Sequence, residues 1–144
     1  MTKDVFVSLR GEQILNRNTE EETKDITSVE CQGSYDYKGG FHVIRFTETG
    51  ENNETTKSMV CVKPDYFKII RKGAITTTMI FKSNRSAATD YQTPYGVLQM
   101  QTDTQKVVLE EFQDRLEVQL FYQLKVNGEV ISDSKMEFVV SSMK

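Results

Sequence analysis

The residue in this chain best placed to meet an anion is Arg71. From Lys63 to Arg85 the sequence carries six basic residues, Lys63, Lys68, Arg71, Lys72, Lys82 and Arg85, against one acid, Asp65. The rest leans the other way: 18 basic and 21 acidic residues leave a net charge of −3 over 144 residues. Phe67, Ile69 and Arg71 share one face of a strand over Tyr66–Ile70. If the two apolar residues point inward, so does the arginine. A buried guanidinium must pair, either with a carboxylate of the protein or with an anion brought by a ligand. The wider segment has two readings. Lys63, Lys68, Lys72, Lys82 and Arg85 are either solvated charges that protect strand edges, or a patch that attracts acidic partners.

Tyrosine supplies the second element of such a site. It combines an apolar body with a polar tip, which suits a barrel mouth and ordinary core edges alike. The stretch YQTPYG at 91–96 concentrates this chemistry around one of two prolines. Pro94 cannot donate to a central ladder, and it pushes Thr93 to extended geometry. Gly96 allows a close backbone approach as the chain re-enters a sheet at Val97. The stretch reads as a kinked junction between strands. Its tyrosines would form one wall of a pocket whose charged wall is Arg71. The candidate ligand-binding set is Arg71, Met79, Tyr91, Thr93 and Tyr95, with Tyr37.

Other chemistries lack their residues. His42 is the sole histidine, set mid-strand between Phe41 and Val43 and read as a surface or partly buried strand residue. No nucleophile elbow accompanies it, and one histidine without a cysteine cluster gives no metal site. There is no glycine-rich phosphate loop. Glu20-Glu21-Glu22 reads as a solvated loop run. Glu110 and Glu111 point to opposite faces of a strand, and nothing singles out a carboxylate pair for acid–base work. Cys31 and Cys61, thirty residues apart in strand-like segments, read as small buried hydrophobes in a reducing cytoplasm. No cofactor is expected.

The elements that must position these residues follow a period of two. Leu116–Val126 alternates apolar and mostly polar residues, the pattern of a half-buried antiparallel strand. Asn127-Gly128 then predicts a type I′ hairpin, because both central residues need positive φ. Val29, Cys31, Gly33, Tyr35 and Tyr37 share one face, and Lys38-Gly39-Gly40 turns that strand into Phe41–Phe46. Ser58–Val62 ends at Pro64-Asp65, and Tyr66–Ile70 turns at Lys72-Gly73 into Ile75–Lys82. Ser83–Ser86 reads as a loop. Val97–Thr102, Lys106–Phe112 and Met136–Val140 complete about ten strands in one domain, with a long polar loop over Asn16–Lys24. No sustained helical period appears. Ten meandering strands must hide their edges, and a closed or nearly closed antiparallel barrel does so.

Four blocks, in order, carry a resemblance. They are Gly33-Ser34-Tyr35-Asp36-Tyr37-Lys38; Ile70-Arg71-Lys72-Gly73 with Met79-Ile80-Phe81; Tyr91-Gln92-Thr93-Pro94-Tyr95-Gly96; and Ile131-Ser132-Asp133. Together they span nearly the whole chain and resemble the YwiB-like family of small bacterial proteins of unknown function. The resemblance implies an all-β, single-domain, calycin- or lipocalin-like barrel of about 8–10 strands, soluble, cytoplasmic and cofactor-free. It brings no activity and no catalytic residue. Bulky inward candidates (Met79, Phe81, Leu120, Tyr122, Leu124) can fill a barrel of this size.

Three functions follow. The first is a barrel binding a small acidic or phosphorylated ligand through Arg71 and tyrosines. The second is an interaction module docking an acidic protein or RNA on the 63–85 patch. The net charge and the absence of an interleaved aromatic motif weigh against RNA. The third is a metal-independent enzyme of the barrel type, which no motif supports. The expected state is a monomer or homodimer. No apolar run approaches the ~20 residues of a membrane span, and the start, Met1-Thr2-Lys3-Asp4-Val5, carries no secretory signal.

Overall fold

Side-chain alternation organises the chain into ten antiparallel strands joined mostly by tight turns. The computed structural model describes residues 1–73, 76–93 and 95–143; of residues 51, 92 and 93 only the backbone is described. The strands are β1 (Asp4–Leu15), β2 (Thr23–Lys38), β3 (Phe41–Thr49), β4 (Thr55–Lys63), β5 (Tyr66–Gly73), β6 (Thr77–Lys82), β7 (Arg85–Thr93), β8 (Gly96–Glu111), β9 (Arg115–Val126) and β10 (Glu129–Ser142). A 3-10 turn over Glu51–Asn53 interrupts the meander. The sheet order is β6-β5-β4-β3-β2-β1-β10-β9-β8-β7. The chain thus meanders in both directions from the β1–β10 pair and brings its two edges, β6 and β7, together. The Thr102 hydroxyl donates to the Ile80 carbonyl at 2.7 Å, and the Val107 amide donates to the Ser83 hydroxyl at 2.9 Å. These bonds stitch β8 to β6 and its following turn where no ladder forms, and the barrel is nearly closed.

The turns are those the sequence predicts at Asn127-Gly128 (φ 49° and 84°) and Gly39-Gly40 (φ 62° and 83°). Three readings need correction. Arg85–Thr93 is a strand, not a loop at its start; its Ser-Ala-Ala-Thr-Asp run has no large apolar residue to mark a period. The two strands read at Val97–Thr102 and Lys106–Phe112 are one, β8, broken by a register shift between Thr104 and Lys106. That bulge flips parity, so Thr102 and Thr104 face inward before it, and Val107, Leu109 and Glu111 after it. β5 also runs on through Gly73, so Lys72-Gly73 lies within the strand. The predicted start of β6 at Ile75, and Pro94 in YQTPYG, lie outside the described residues.

The inward faces meet at an aromatic centre. Phe67 contacts Phe138 edge-on with centroids 5.5 Å apart, Phe67 lies 5.9 Å from Phe81, and Phe81 lies 4.7 Å from Tyr122. Val5, Val7, Ile44, Val60, Val62, Ile69, Leu120 and Val140 surround them, each 2% exposed or less. These rings occupy the middle of the lumen, as the bulky inward candidates allow. Toward one end the lining turns polar: Thr56, Ser58, Thr77, Thr102, Ser132 and Ser134 are all buried.

Candidate functional site: a basic cleft in the barrel wall

The wall has a seam that the pairing pattern creates. β2 pairs with β1 over its length from Thr23 to Ser34, but with β3 only from Gly33 to Lys38. Past the Gly33–Phe46 pair, β3 stays with β4 through Thr49 while β2 stays with β1. The two strands splay and a cleft opens. Gly33 sits at the apex, where a Cβ would lie 2.6 Å from the Arg45 carbonyl oxygen. Only glycine lets the backbones approach so closely at the point of divergence.

The cleft has a cavity volume of about 570 Å³ and is lined by Gln32, Arg45, Thr47, Lys57, Met59, Ile70 and Lys72, with Gly33, Phe46 and Ser58. Register explains the composition. Arg45, Met59 and Ile70 form one cross-strand row, and Thr47, Lys57 and Lys72 form the next. Met59 and Ile70 make a half-buried apolar floor, and Arg45, Lys57 and Lys72 rise exposed around it. None of these three cations forms an ion pair with a described residue. The outward positions of β4, β5 and β6 add Lys63, Lys68 and Lys82 and carry no acid. Lys63 lies over the rings of Phe41 and Tyr66, at 4.8 and 5.6 Å, and Lys82 lies 6.0 Å from the Tyr66 centroid. Lys63, Lys68, Lys72 and Lys82 are therefore on one outer face, and Arg85 begins β7 beyond it. Arg45 and Lys57 escape the sequence reading because they lie outside the 63–85 window; only register brings them beside Lys72.

Arg71 faces inward, as its parity requires, and meets a protein carboxylate. Its Nε lies 3.2 Å from Glu48 Oε2, which also accepts from the Ser58 hydroxyl at 3.0 Å. The two side chains are only 17% and 14% exposed. Nearby Tyr122 is buried, which pushes its phenol pKa up, against the opposing effect of hydrogen bonds to Ser134 and Gln13 and of the Arg71 charge. The other sequence candidates are dispersed. Met79 is buried in the core one row from Arg71, and Tyr91 is half-buried on β7. Tyr95 is fully exposed at the β7–β8 turn. The Thr93 side chain lies outside the described residues. Tyr37 is exposed at the opposite end of the barrel. A shallow depression of about 230 Å³ at the β6–β7 seam includes Arg71, Thr77, Thr89 and Asp90 in its lining.

His42 is better connected than its sequence context suggests. It is 8% exposed. Its Nδ1 lies 2.7 Å from the Tyr35 hydroxyl, and its Nε2 lies 2.6 Å from Glu111 Oε1, contributed from 69 positions along the chain. Tyr37 packs edge-on against the imidazole at 5.0 Å. Burial, then the Glu111 carboxylate, raises the Tyr35 phenol pKa. The triad ties β2 and β3 to β8 across the base of the barrel. Among the described residues, no three His, Cys, Asp or Glu side chains converge to hold a metal. No helix among them is long and apolar enough to cross a membrane.

The architecture defines a calycin-like barrel with a filled centre and a charged opening in its wall. The chain belongs to the family described as a domain of unknown function, DUF1934, which matches residues 10–138. The structure is similar to that of the YwiB protein from Bacillus subtilis, with a TM-score of 0.78 over 100% of this chain and 96% of that one. Sequence identity between the two is 15%, so the likeness is one of fold. No curated protein matches the sequence. The fold and family implied by the four sequence blocks are those found.

Proposed function

We propose that this barrel binds a small acidic or phosphorylated ligand, and that the ligand sits in the wall cleft. One observation carries the reading: three cations without an acidic partner among the described residues surround an apolar floor in a cavity of about 570 Å³. That size falls within the roughly 300–1,000 Å³ of small-molecule sites. Arg45, Lys57 and Lys72 suit a carboxylate or phosphate head, and Met59 and Ile70 suit an apolar body. The lumen is a poorer host. Arg71 there is already neutralised by Glu48, and aromatic rings fill the centre. The free thiols of Cys31 and Cys61 fit a reducing cytoplasm.

The test is a titration of dodecyl phosphate, with dodecanol as the neutral control, followed by methyl NMR of Met59 and Ile70. Dodecyl phosphate shifts both signals, binding weakens with salt, and Lys57→Gln/Lys72→Gln reduces affinity at least about tenfold. Equal response to dodecanol, or no shift at Met59 and Ile70, overturns the reading. The acid-free outer face of β4–β6 favours a second reading, in which Lys63, Lys68, Lys72 and Lys82 with Arg85 dock an acidic segment of another protein. Charge reversal of Lys68, Lys72 and Lys82 then abolishes salt-sensitive capture of that segment.

A further inference from the structure

The splaying that opens the cleft also leaves β2 with a bare edge. Residues 23–32 hydrogen-bond to β1 on one side and have no ladder partner among the described residues on the other. Their inward-parity residues Val29 and Cys31 stay only half-buried, and outward-facing Ile26 is 52% exposed. An unpaired edge of ten residues is a template for another strand. The edge sequence, Thr23-Lys24-Asp25-Ile26-Thr27-Ser28-Val29-Glu30-Cys31-Gln32, is complementary to itself. Set antiparallel with Thr27 opposite Thr27, two copies place Lys24 opposite Glu30 twice and Ile26 opposite Ser28. A slip of two residues one way opposes Glu22 to Glu30, and a slip the other way opposes Ile26 to Glu30. Either slip loses both Lys24–Glu30 pairs, setting Lys24 against Ser28 or Gln32, and the first also opposes like charges directly, so both registers are disfavoured.

The same register carries the acidic loop into the cleft. With Thr27 on the twofold axis, the partner's Glu22 falls opposite Gln32, which lines the cleft. Glu20 and Glu21 lie in the turn before β2, where the Glu22 amide donates to the Thr19 carbonyl at 3.2 Å, so in this register the partner's acidic turn sits at the mouth of the cleft that Arg45 and Lys57 line. Glu22 accepts a hydrogen bond from the Asn18 amide of its own loop at 3.1 Å. None of Glu20, Glu21 and Glu22 forms an ion pair with a described residue. The cleft cations are in the same condition. Each protomer therefore offers an acidic run and a basic cleft at matching distances from one axis, the requirement for an isologous interface. The geometry points to a homodimer in which β2 pairs with β2 of a second copy, and each protomer's Glu20–Glu22 run occupies the other's cleft. This rests on the reading of the cleft as an anion site. It adds regulation: an anionic ligand and the second copy compete for one set of cations, so ligand binding dissociates the dimer.

Sedimentation equilibrium across micromolar to millimolar concentrations, with amide exchange over residues 23–32, tests this. The wild type sediments at twice 16.6 kDa, and protection of the β2 edge rises with concentration. Glu20→Lys/Glu21→Lys/Glu22→Lys and Lys57→Glu/Lys72→Glu each weaken dimerisation about tenfold or more. All five substitutions together restore it. These side chains are exposed, so folding is not at stake. Lys24→Glu or Glu30→Lys alone weakens the dimer and the pair recovers it, which checks the register. A monomer at every concentration, a dimer indifferent to either set of reversals, or β2 protection that needs a different protein overturns the proposal. Dodecyl phosphate separates the two ideas. A monomer that binds it in the cleft leaves the ligand reading standing and sinks the dimer. A charge-sensitive dimer that ignores it sinks the ligand reading alone.

Discussion

Replacing Arg71 by alanine distinguishes a structural arginine from a ligand-binding one. In the structure its guanidinium and the Glu48 carboxylate are 3.2 Å apart, with side chains 17% and 14% exposed. Removing one partner of a buried pair costs about 3–5 kcal/mol when the remaining charge is fully enclosed. Here the mouth of the barrel admits some water, and Ser58 still donates to Glu48, so about 2–3 kcal/mol is expected. With a urea m-value of about 1–3 kcal/mol/M, the midpoint falls by roughly 0.7–3 M at unchanged m. The double replacement Arg71→Met/Glu48→Leu removes both charges while keeping volume. It recovers stability to within about 1 kcal/mol of wild type, since apolar isosteres of buried pairs are often neutral or better. Urea unfolding followed by circular dichroism measures Arg71→Ala, the double variant and its two singles, Arg71→Met and Glu48→Leu, against wild type. An Arg71→Ala variant within about 0.5 kcal/mol of wild type refutes the argument. So does a double variant as unstable as the sum of its parts, because the pair would then have no coupling.

Three further perturbations follow from other buried and paired groups. His42→Ala loses buried packing and leaves the Tyr35 hydroxyl without its 2.7 Å partner, at a cost of about 2–3 kcal/mol. Glu111→Gln, at a carboxylate whose side chain is 57% exposed, costs under about 1 kcal/mol in the same unfolding assay. Asp103 is held at a pKa of about 2, against 3.8 ordinarily, first by its hydrogen bond from Lys125 and then by those from Ser86 and Gln101. A depressed carboxyl pKa stabilises the fold above the unfolded value. Its contribution is therefore full above about pH 4 and is lost as pH falls toward 2. Asp103→Asn flattens the stability profile in that window by up to about 1 kcal/mol; an unchanged acid limb in thermal melts at stepped pH refutes it.

Local order was readable wherever one face was apolar. β9 alternates without a break, and Asn127-Gly128 requires a turn that few other dipeptides make. The long strand β8 reads as two in the sequence because its bulge between Thr104 and Lys106 interrupts the alternation. β7 gives no strand pattern because Ala87, Ala88 and Thr89 are too small to carry a hydrophobic signal. The inward direction of Arg71 followed from Phe67 and Ile69, and so did its need for a partner. That the partner is Glu48 did not follow, because Glu48 reaches it only through the pairing of β3 with β4 and β4 with β5.

The functional surface divides along the same line. A period of two fixes which face of a strand each residue occupies, and it needs only near neighbours in sequence. It therefore placed Arg71 on one face with Phe67 and Ile69, and Phe81 and Tyr122 among the inward candidates. The relation between strands depends on register and on where ladders stop, and both are set by packing among residues far apart in the chain. The close approach at Gly33, the divergence of β2 from β3, the meeting of Arg45, Lys57 and Lys72, and the 69-residue reach from His42 to Glu111 are all of this second kind. They exist because a curled sheet of fixed strand spacing must either stay paired or open, and here it opens between β2 and β3.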